Sequence, residues 1–452
     1  MAQANLQADL FRWATWWLSD DIFVGIQDSF YESRNIDVRS NGKAISLSKT
    51  FINEYTPTEA INVLIFLNNG ELAWFGNNWW LYRKASGTRS KVTTTTPAKP
   101  IISASEFHWY IYWTQDNQLH RVKSSDWWSN LTGNETIWFH SLNTSSYHPL
   151  LVSQWSLFIG NWQDFDEVDI DDVFVHQTVI EAGSTIEHLE DMWWMIRVIT
   201  RSETWHYNVY LMQKWNLLPD QVIPLWWAWI KNSIIFEWYN YITTSWWLTA
   251  LDWYKLYKLK DLDTFNTFSN AKAIYKDKLV LWGKWVIYTR GKKNKNYPDV
   301  LVAERVTSND KSDDVIRCLC SADGELYVSR SNGSTYGIDK LSNSVYWSDG
   351  YLITRAYYAN DLHTVKEAVE ARFGFQTIKQ DETIELLYSI DWQSYKSIVI
   401  LNKWDDSKVS FSEHIRMIDQ FQYIQFKFKL HWPSTSTPTF YSMDFRFNVI
   451  DK

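Results

Sequence analysis

Apolar and polar residues alternate along most of this chain in short runs separated by turn-forming residues, the pattern of half-buried β-strands rather than helices. Glu71-Leu-Ala-Trp-Phe75 is one such run, and Tyr110-Ile-Tyr-Trp113, Ser156-Leu-Phe-Ile159 and Met195-Ile-Arg-Val-Ile199 follow it. Asn240-Tyr-Ile242, Lys278-Leu-Val-Leu281 and Glu325-Leu-Tyr-Val328 complete the series. Taking Leu72, Ile111, Phe158, Ile196, Tyr241, Leu281 and Tyr327 as equivalent anchors, the steps are 39, 47, 38, 45, 40 and 46 residues. A four-stranded propeller blade occupies about 40–50 residues, and a helical repeat of that period would show 3.6-residue spacing, which is absent. Seven anchors predict a seven-bladed β-propeller over residues 51–350. One small twisted sheet cannot cover both of its faces, whereas several around an axis bury each other and leave only short edges. A many-stranded sandwich is the competing architecture.

Beyond the repeat the pattern changes to longer period-two strands. Val369, Ala371, Phe373 and Phe375 alternate with other residues, as do Phe426, Phe428 and Leu430, and then Met443, Phe445, Phe447 and Val449. This marks a sheet wetted on one face and packed on the other. Residues 355–452 are therefore predicted to form a separate antiparallel β-sandwich, making the whole chain all-β. Residues 1–50 hold strands such as Asn35–Arg39 and Ala44–Ser48, predicted to flank the propeller or help close it.

Composition adds one anomaly. The chain has 30 Trp and only 15 Gly in 452 residues, roughly half the usual ~7% glycine. Six Trp-Trp pairs occur, at 16–17, 79–80, 127–128, 193–194, 226–227 and 246–247. Several follow turn chemistry such as Asn-Asn, Ser-Asp or Thr-Ser. The sequence Asn77-Asn-Trp-Trp80 becomes an ordinary hairpin turn if Trp is read as Gly, and Asp391-Trp392 becomes an Asp-Gly turn. The repeat at Ser331-Asn-Gly333-Ser carries a real glycine at such a place. Primed turns need positive φ, which glycine adopts freely and a bulky residue does not. The expectation is that many of these tryptophans represent a UGA codon whose native decoding is glycine. The competing expectation is real aromatic platforms for sugars or bases. Single residues such as Trp113 and Trp215 are candidates for genuine tryptophan.

Charge and cysteine content narrow the field. With 44 basic and 52 acidic residues the formal net charge is −8, which argues against wrapping nucleic acid as a main task. Hydrophobic residues make up 45%, enough for a full core without metal or disulfide staples. Cys318 and Cys320 share one strand face and point the same way, so they read as small buried residues rather than a disulfide. The N-terminus shows no secretory pattern. The longest apolar run, Val222 to Ile230, contains a proline and falls far short of the ~18 residues of a spanning helix. No membrane insertion is expected.

Catalytic signatures are sparse. There is no glycine-rich phosphate loop and no strand followed by G-x-G-x-x-G, so no nucleotide is expected. His108, His120, His140 and His148 lack zinc-site spacing, and no nucleophile elbow marks a serine hydrolase. The stretch Asp164-Phe-Asp166-Glu167-Val-Asp169-Ile-Asp171-Asp172 could offer oxygens to calcium, but it lacks the EF-hand spacing. It reads more simply as an outer strand whose charge blunts edge pairing. Gly291–Pro298 is a basic loop, and Lys91–Pro97 an extended connector. Ser321-Ala-Asp323-Gly324 and Ser389-Ile-Asp391-Trp392 weakly match a sialidase-type turn, which is structural in that family. No catalytic residue, metal ligand or cofactor is assigned, and the chain is expected not to be an enzyme.

Both ends bear a resemblance. With glycine restored, Val24–Arg39 followed by Ile45–Ser48 resembles the opening of tailed-phage structural proteins that lead into propeller blades. Leu387–Tyr395, Phe421–Leu430 and Ser436–Phe447 resemble the C-terminal sandwich of phage tail or virion proteins. The resemblance implies a non-enzymatic, tail- or portal-associated virion component that acts as a protein-interaction scaffold. Its partners would be other virion proteins, with a homo-oligomer left open. The alternative expectation is a carbohydrate-binding or glycoside-hydrolysing propeller, which would need paired carboxylates ringed by aromatics.

Overall fold

The computed structural model describes residues 3–6, 30–37, 45–76, 81–85, 88–92, 100–124, 138–145, 147–214, 219–225, 229–244, 247–252, 256–261, 270–282, 287–292, 299–305, 314–357, 364–402, 410–415, 420–432 and 436–450. Every regular element among them is a β-strand. The periodicity thus yields an all-β chain, and its reason lies in the side chains: β-branched and aromatic residues fill the strands, and polar or positive-φ residues fill the corners.

Among the described residues, seven antiparallel four-stranded sheets follow one another. Sheets I to VI are continuous in sequence, over residues 61–92, 101–141, 150–179, 184–225, 230–261 and 272–305. Sheet VII takes three strands from residues 315–346 and its fourth from Lys49–Tyr55 near the other end of the chain. Each of the seven anchors falls on the second strand of its sheet, and each is buried, from Ile111 at 0% to Tyr327 at 7% exposed. The spacing therefore marks the same strand of each sheet, while the anchors occupy different rungs of it.

The first strands touch in a cycle: I meets II, II meets III, and so on to VI and VII, with VII returning to I. Between successive sheets lie separate apolar clusters. Phe75 and Trp113 meet between I and II, Phe158 and Ile196 between III and IV, and Ile199 and Ile242 between IV and V. Sheet faces buried this way on both sides explain why the strands are apolar beyond simple alternation.

The strand Lys49–Tyr55 is held to sheet VII by more than its ladder. Asn53 Nδ2 donates to Asp339 Oδ1 at 3.0 Å, and Arg330 Nε donates to the other oxygen at 2.7 Å. Asp339 and Arg330 have side chains only 1% and 6% exposed.

Two five-stranded sheets form a second body. One contains Phe30–Arg34, Asp349–Thr354, Ile424–His431, Thr383–Ile390 and Lys396–Leu401. The other contains Gln3–Leu6, Phe440–Ile450, Val365–Gln376, Ser410–Ile415 and Gln420–Phe421. Phe426 and Phe428 of the first meet Phe445 and Phe440 of the second, with ring centroids 5.1 and 4.6 Å apart. Gln3–Leu6 thus pairs with Phe440–Ile450 and Phe30–Arg34 with Asp349–Thr354, and the seven smaller sheets lie between these partners in sequence. One detail departs from strict alternation: a register shift between Ala368 and Glu370 turns Ala368, rather than Val369, into the core.

Candidate functional site

In every sheet from I to VII the first and second strands are joined by a tight turn, and these turns make up a rim with contacts between several neighbours. Asn68 N in the first turn donates to Glu106 Oε2, beside the second, at 2.6 Å. Gln154 in the third donates to the Trp193 carbonyl in the fourth. Trp193 stacks on Trp238 of the fifth, with centroids 5.6 Å apart. Lys276 of the sixth turn lies beside Gly324 of the seventh, and Asp323 lies beside Gly70 of the first.

At the rim, Trp193 and Trp238 sit on backbone of positive φ. Glu237-Trp238 has φ of +47° and +75°, and Asp323-Gly324 at the equivalent place has +51° and +74°. Positive φ also occurs at Trp162, Trp193, Trp205 and, in the second body, Trp392. Trp193 and Trp392 are 71% and 65% exposed. Of the six doublets, 193–194 is described in full and Trp247 in part; the others lie outside the described residues. Trp113 behaves differently: it is fully buried and stacked on His120 at 5.4 Å and 9°. Trp215 lies outside the described residues.

Two clefts open at the rim. One, of about 320 Å³, sits at the turns of sheets IV and V and is lined by Met192, Trp193, Trp194, Ile235, Phe236 and Trp238 among others. The other, of about 540 Å³, lies where sheets VII and I meet. It carries Glu54, Glu71, Asp323 and Glu325 beside Tyr55, Phe66, Tyr327 and Lys340. Glu325 is engaged there: Tyr327 Oη donates to it at 2.6 Å and Lys340 Nζ bonds its other oxygen. Burial and this carboxylate together push the Tyr327 phenol well above its usual range.

On the inner edge, Asn270 reaches across several sheets. Its Nδ2 donates to the carbonyls of Asn62 at 3.0 Å and Ile102 at 2.9 Å, and its backbone carbonyl accepts from Leu319 N at 2.9 Å. One residue leading into sheet VI therefore ties sheets I, II and VII together.

The candidates that the sequence suggested divide clearly. The acidic stretch forms the third strand of sheet III and its following turn, and its oxygens are largely spoken for. Asp164 accepts from Asn143; Asp166 accepts from Asn161 and lies 2.7 Å from His176 Nδ1; Glu167 accepts from Gln177. Asp169 caps its own turn through Asp171 N and Val173 N, and Asp172 accepts from Tyr112 Oη. Burial raises the Asp166 pKa, and its hydrogen bonds oppose that rise. Among the described residues, no group of three His, Cys, Asp or Glu side chains is arranged to hold a metal. His120 and His148 are buried, His140 stacks on Phe174, and His108 occupies a turn at φ +56°. Cys318 and Cys320 are free thiols, and burial raises both pKa values. Most of the Gly291–Pro298 loop and of Lys91–Pro97 lies outside the described residues. The rim and the Asn270 bridge escaped the sequence, because they assemble single residues from turns far apart in the chain.

No family model and no curated protein matches this chain. Solved structures do match. A virginiamycin B lyase from Staphylococcus aureus, crystallised in inactive form with quinupristin, is 9% identical with a TM-score of 0.50, covering 65% of this chain and 98% of its own. The WD40 β-propeller domain of Doa1 is also 9% identical, at a TM-score of 0.46, covering 65% and 97%. An extracellular domain from B. thetaiotaomicron is 12% identical at a TM-score of 0.47, over 74% of this chain and 44% of its own length. The likeness is one of fold: the chain is all-β and propeller-like.

Proposed function

We propose that the seven small sheets form a seven-bladed β-propeller carried on an antiparallel β-sandwich, and that the protein is a non-enzymatic interaction scaffold of a tailed-phage virion, tail- or portal-associated. The observation that carries the scaffold reading is the way the inner edge and the ring seam are tied. Asn270 bonds across sheets I, II and VII, and Lys49–Tyr55 locks sheet VII through Asp339. Such cross-linking favours a rigid disc that presents loops. The phage assignment is supported by the resemblance of both chain ends. It also accommodates the rim tryptophans as glycines in the native protein, decoded from UGA.

The test uses particles purified from the native source. The chain is expected in them at fixed stoichiometry, with an intact mass lighter by one indole side chain for each turn position swapped to glycine. Absence from particles, or a mass matching thirty tryptophans, overturns the corresponding part.

A second reading is favoured by the acidic and aromatic cleft between sheets VII and I, whose Glu54, Glu71, Asp323 and Glu325 stand among Tyr55, Phe66 and Tyr327. That combination suits carbohydrate. Glycoside turnover abolished by Glu325→Gln would move the assignment to a glycoside-cleaving propeller.

A further inference from the structure

Arg197 is the third residue of the second strand of sheet IV and is fully buried, yet its Nε, Nη1 and Nη2 all lack a hydrogen-bond partner among the described residues. Its cross-strand neighbour is Glu190, whose Oε1 takes its hydrogen bond from Lys272 Nζ at 2.7 Å. Lys272 also donates to the Ser233 carbonyl. On its other side Arg197 stands opposite Leu211, which packs with Met192 and Met195 against Ile235 of sheet V. Ile235 pairs with Asn240, so the Arg197 and Asn240 side chains enter the same space between sheets IV and V. Asn240 Oδ1 accepts from Ser233 Oγ at 2.7 Å, and its Nδ2 has no acceptor among the described residues.

These four unmet atoms are all donors, and a guanidinium keeps its charge in proteins. Leaving buried donors of a charged group without hydrogen-bond partners is costly, and the missing partner must be an acceptor. Glu190 and Asp252 both act on Arg197 through space, without donating or accepting a bond to it. Met192 and Ile235 also line the rim cleft of sheets IV and V, so the apolar cluster that holds Leu211 opposite Arg197 reaches that cleft.

We propose that the space between sheets IV and V is a binding site for a small acceptor-only anion, a halide or a carboxylate, held by the Arg197 guanidinium and Asn240 Nδ2. This is independent of the scaffold reading. A carboxylate could arrive free or as the end of an apolar ligand passing through the cleft.

Unfolding of the full chain is followed at constant ionic strength, with chloride, bromide, formate or hexanoate replacing a large excluded anion. Binding to the folded state predicts that each tenfold rise in anion above its Kd protects about tenfold, or ~1.4 kcal/mol. Arg197→Met should lose this dependence. Arg197→Lys, which keeps the charge but loses the fork, should weaken it at least tenfold. Protection by halide and formate alone identifies an internal ion, whereas tighter protection by hexanoate identifies the carboxylate of a cleft ligand. Bromide-soaked crystals supply a reading that does not depend on variant folding: an anomalous peak beside Arg197 is expected. If no salt protects and no peak appears, water satisfies the donors and the proposal fails.

Discussion

The corner at Asp391-Trp392 gives the sharpest test of why this sequence carries so many tryptophans. It joins two strands of the second body, with φ of +46° and +62° and a closing bond from Gln393 N to the Ile390 carbonyl at 2.8 Å. A left-handed backbone costs an L-residue roughly 1–2 kcal/mol, which glycine escapes. Glycine's extra freedom in the unfolded chain takes back about 0.4–1 kcal/mol. Trp392→Gly and Trp392→Ala both lose the edge contact with Tyr423 at 5.2 Å, so their difference isolates the backbone. Glycine should be the more stable of the two by about 0.8 kcal/mol, the midpoint of these ranges. At Trp113, inside the extended strand Tyr110–Gln115, the order should invert. There alanine should exceed glycine by roughly 0.5–1 kcal/mol, and both should fall about 3–5 kcal/mol below the parent. Urea unfolding midpoints compared at a shared slope resolve such differences. If Trp392→Ala equals or exceeds Trp392→Gly, the corner does not call for a residue lacking a side chain, and the decoding argument loses its physical basis.

Three further outcomes follow from the packing. Asp339→Ala leaves Arg330 charged and buried, and should cost about 3–5 kcal/mol; limited proteolysis should then release the segment before Ile61 faster than in the parent. Burial holds the His188 pKa down to about 3 and that of His120 to about 4. The unfolded chain protonates both near 6.5, so it binds more protons than the native state between those values. These two should therefore lower stability as pH drops below about 6.5, together contributing up to ~2.7 kcal/mol per pH unit once both are protonated in the unfolded chain, with His148, whose pKa burial also lowers, adding to the slope; His188→Gln should reduce the slope by ~1.4 kcal/mol per pH unit in pH-resolved urea titrations, and an unchanged slope would reject the assignment. Cys318 and Cys320, with thiol pKa values raised by burial, should resist a thiol reagent in native protein and react fully in denaturant; rapid native labelling of Cys318 would contradict its burial.

The repeat was legible because each sheet buries apolar residues on its second strand: Leu72, Ile111 and the other five anchors all sit there, on differing rungs and facing one neighbouring sheet or the other. The long tail strands were legible for the same reason, since Phe426, Phe428 and Leu430 need one buried face. What escaped was pairing across the chain. Nothing local in Gln3–Leu6 says that it joins Phe440–Ile450, or that Lys49–Tyr55 completes a sheet begun at Val315. Register between distant strands is fixed by the assembled core, and a one-residue bulge such as that near Glu370 reassigns which side chains face it. Positive φ at Trp193 fits the reading of its doublet as a turn, but the contact of its ring with Trp238 depends on two sheets being neighbours, and so the rim itself escaped.

Closure of the small sheets into a ring is the claim on which the rest depends, and a cross-link tests it most directly. Ile52 and Lys340 face each other in the ladder between Lys49–Tyr55 and sheet VII. In a chain carrying Ile52→Cys and Lys340→Cys, with Cys318 and Cys320 replaced by Ala, mild oxidation should join the two positions in the native state. Closing so long a loop should also raise the unfolding midpoint, as loops of ~100 residues or more gain about 4–5 kcal/mol in the chain-entropy model. If peptide mapping finds no 52–340 bond in folded protein while the same thiols react freely with a small reagent, the seam does not exist and the ring is wrong.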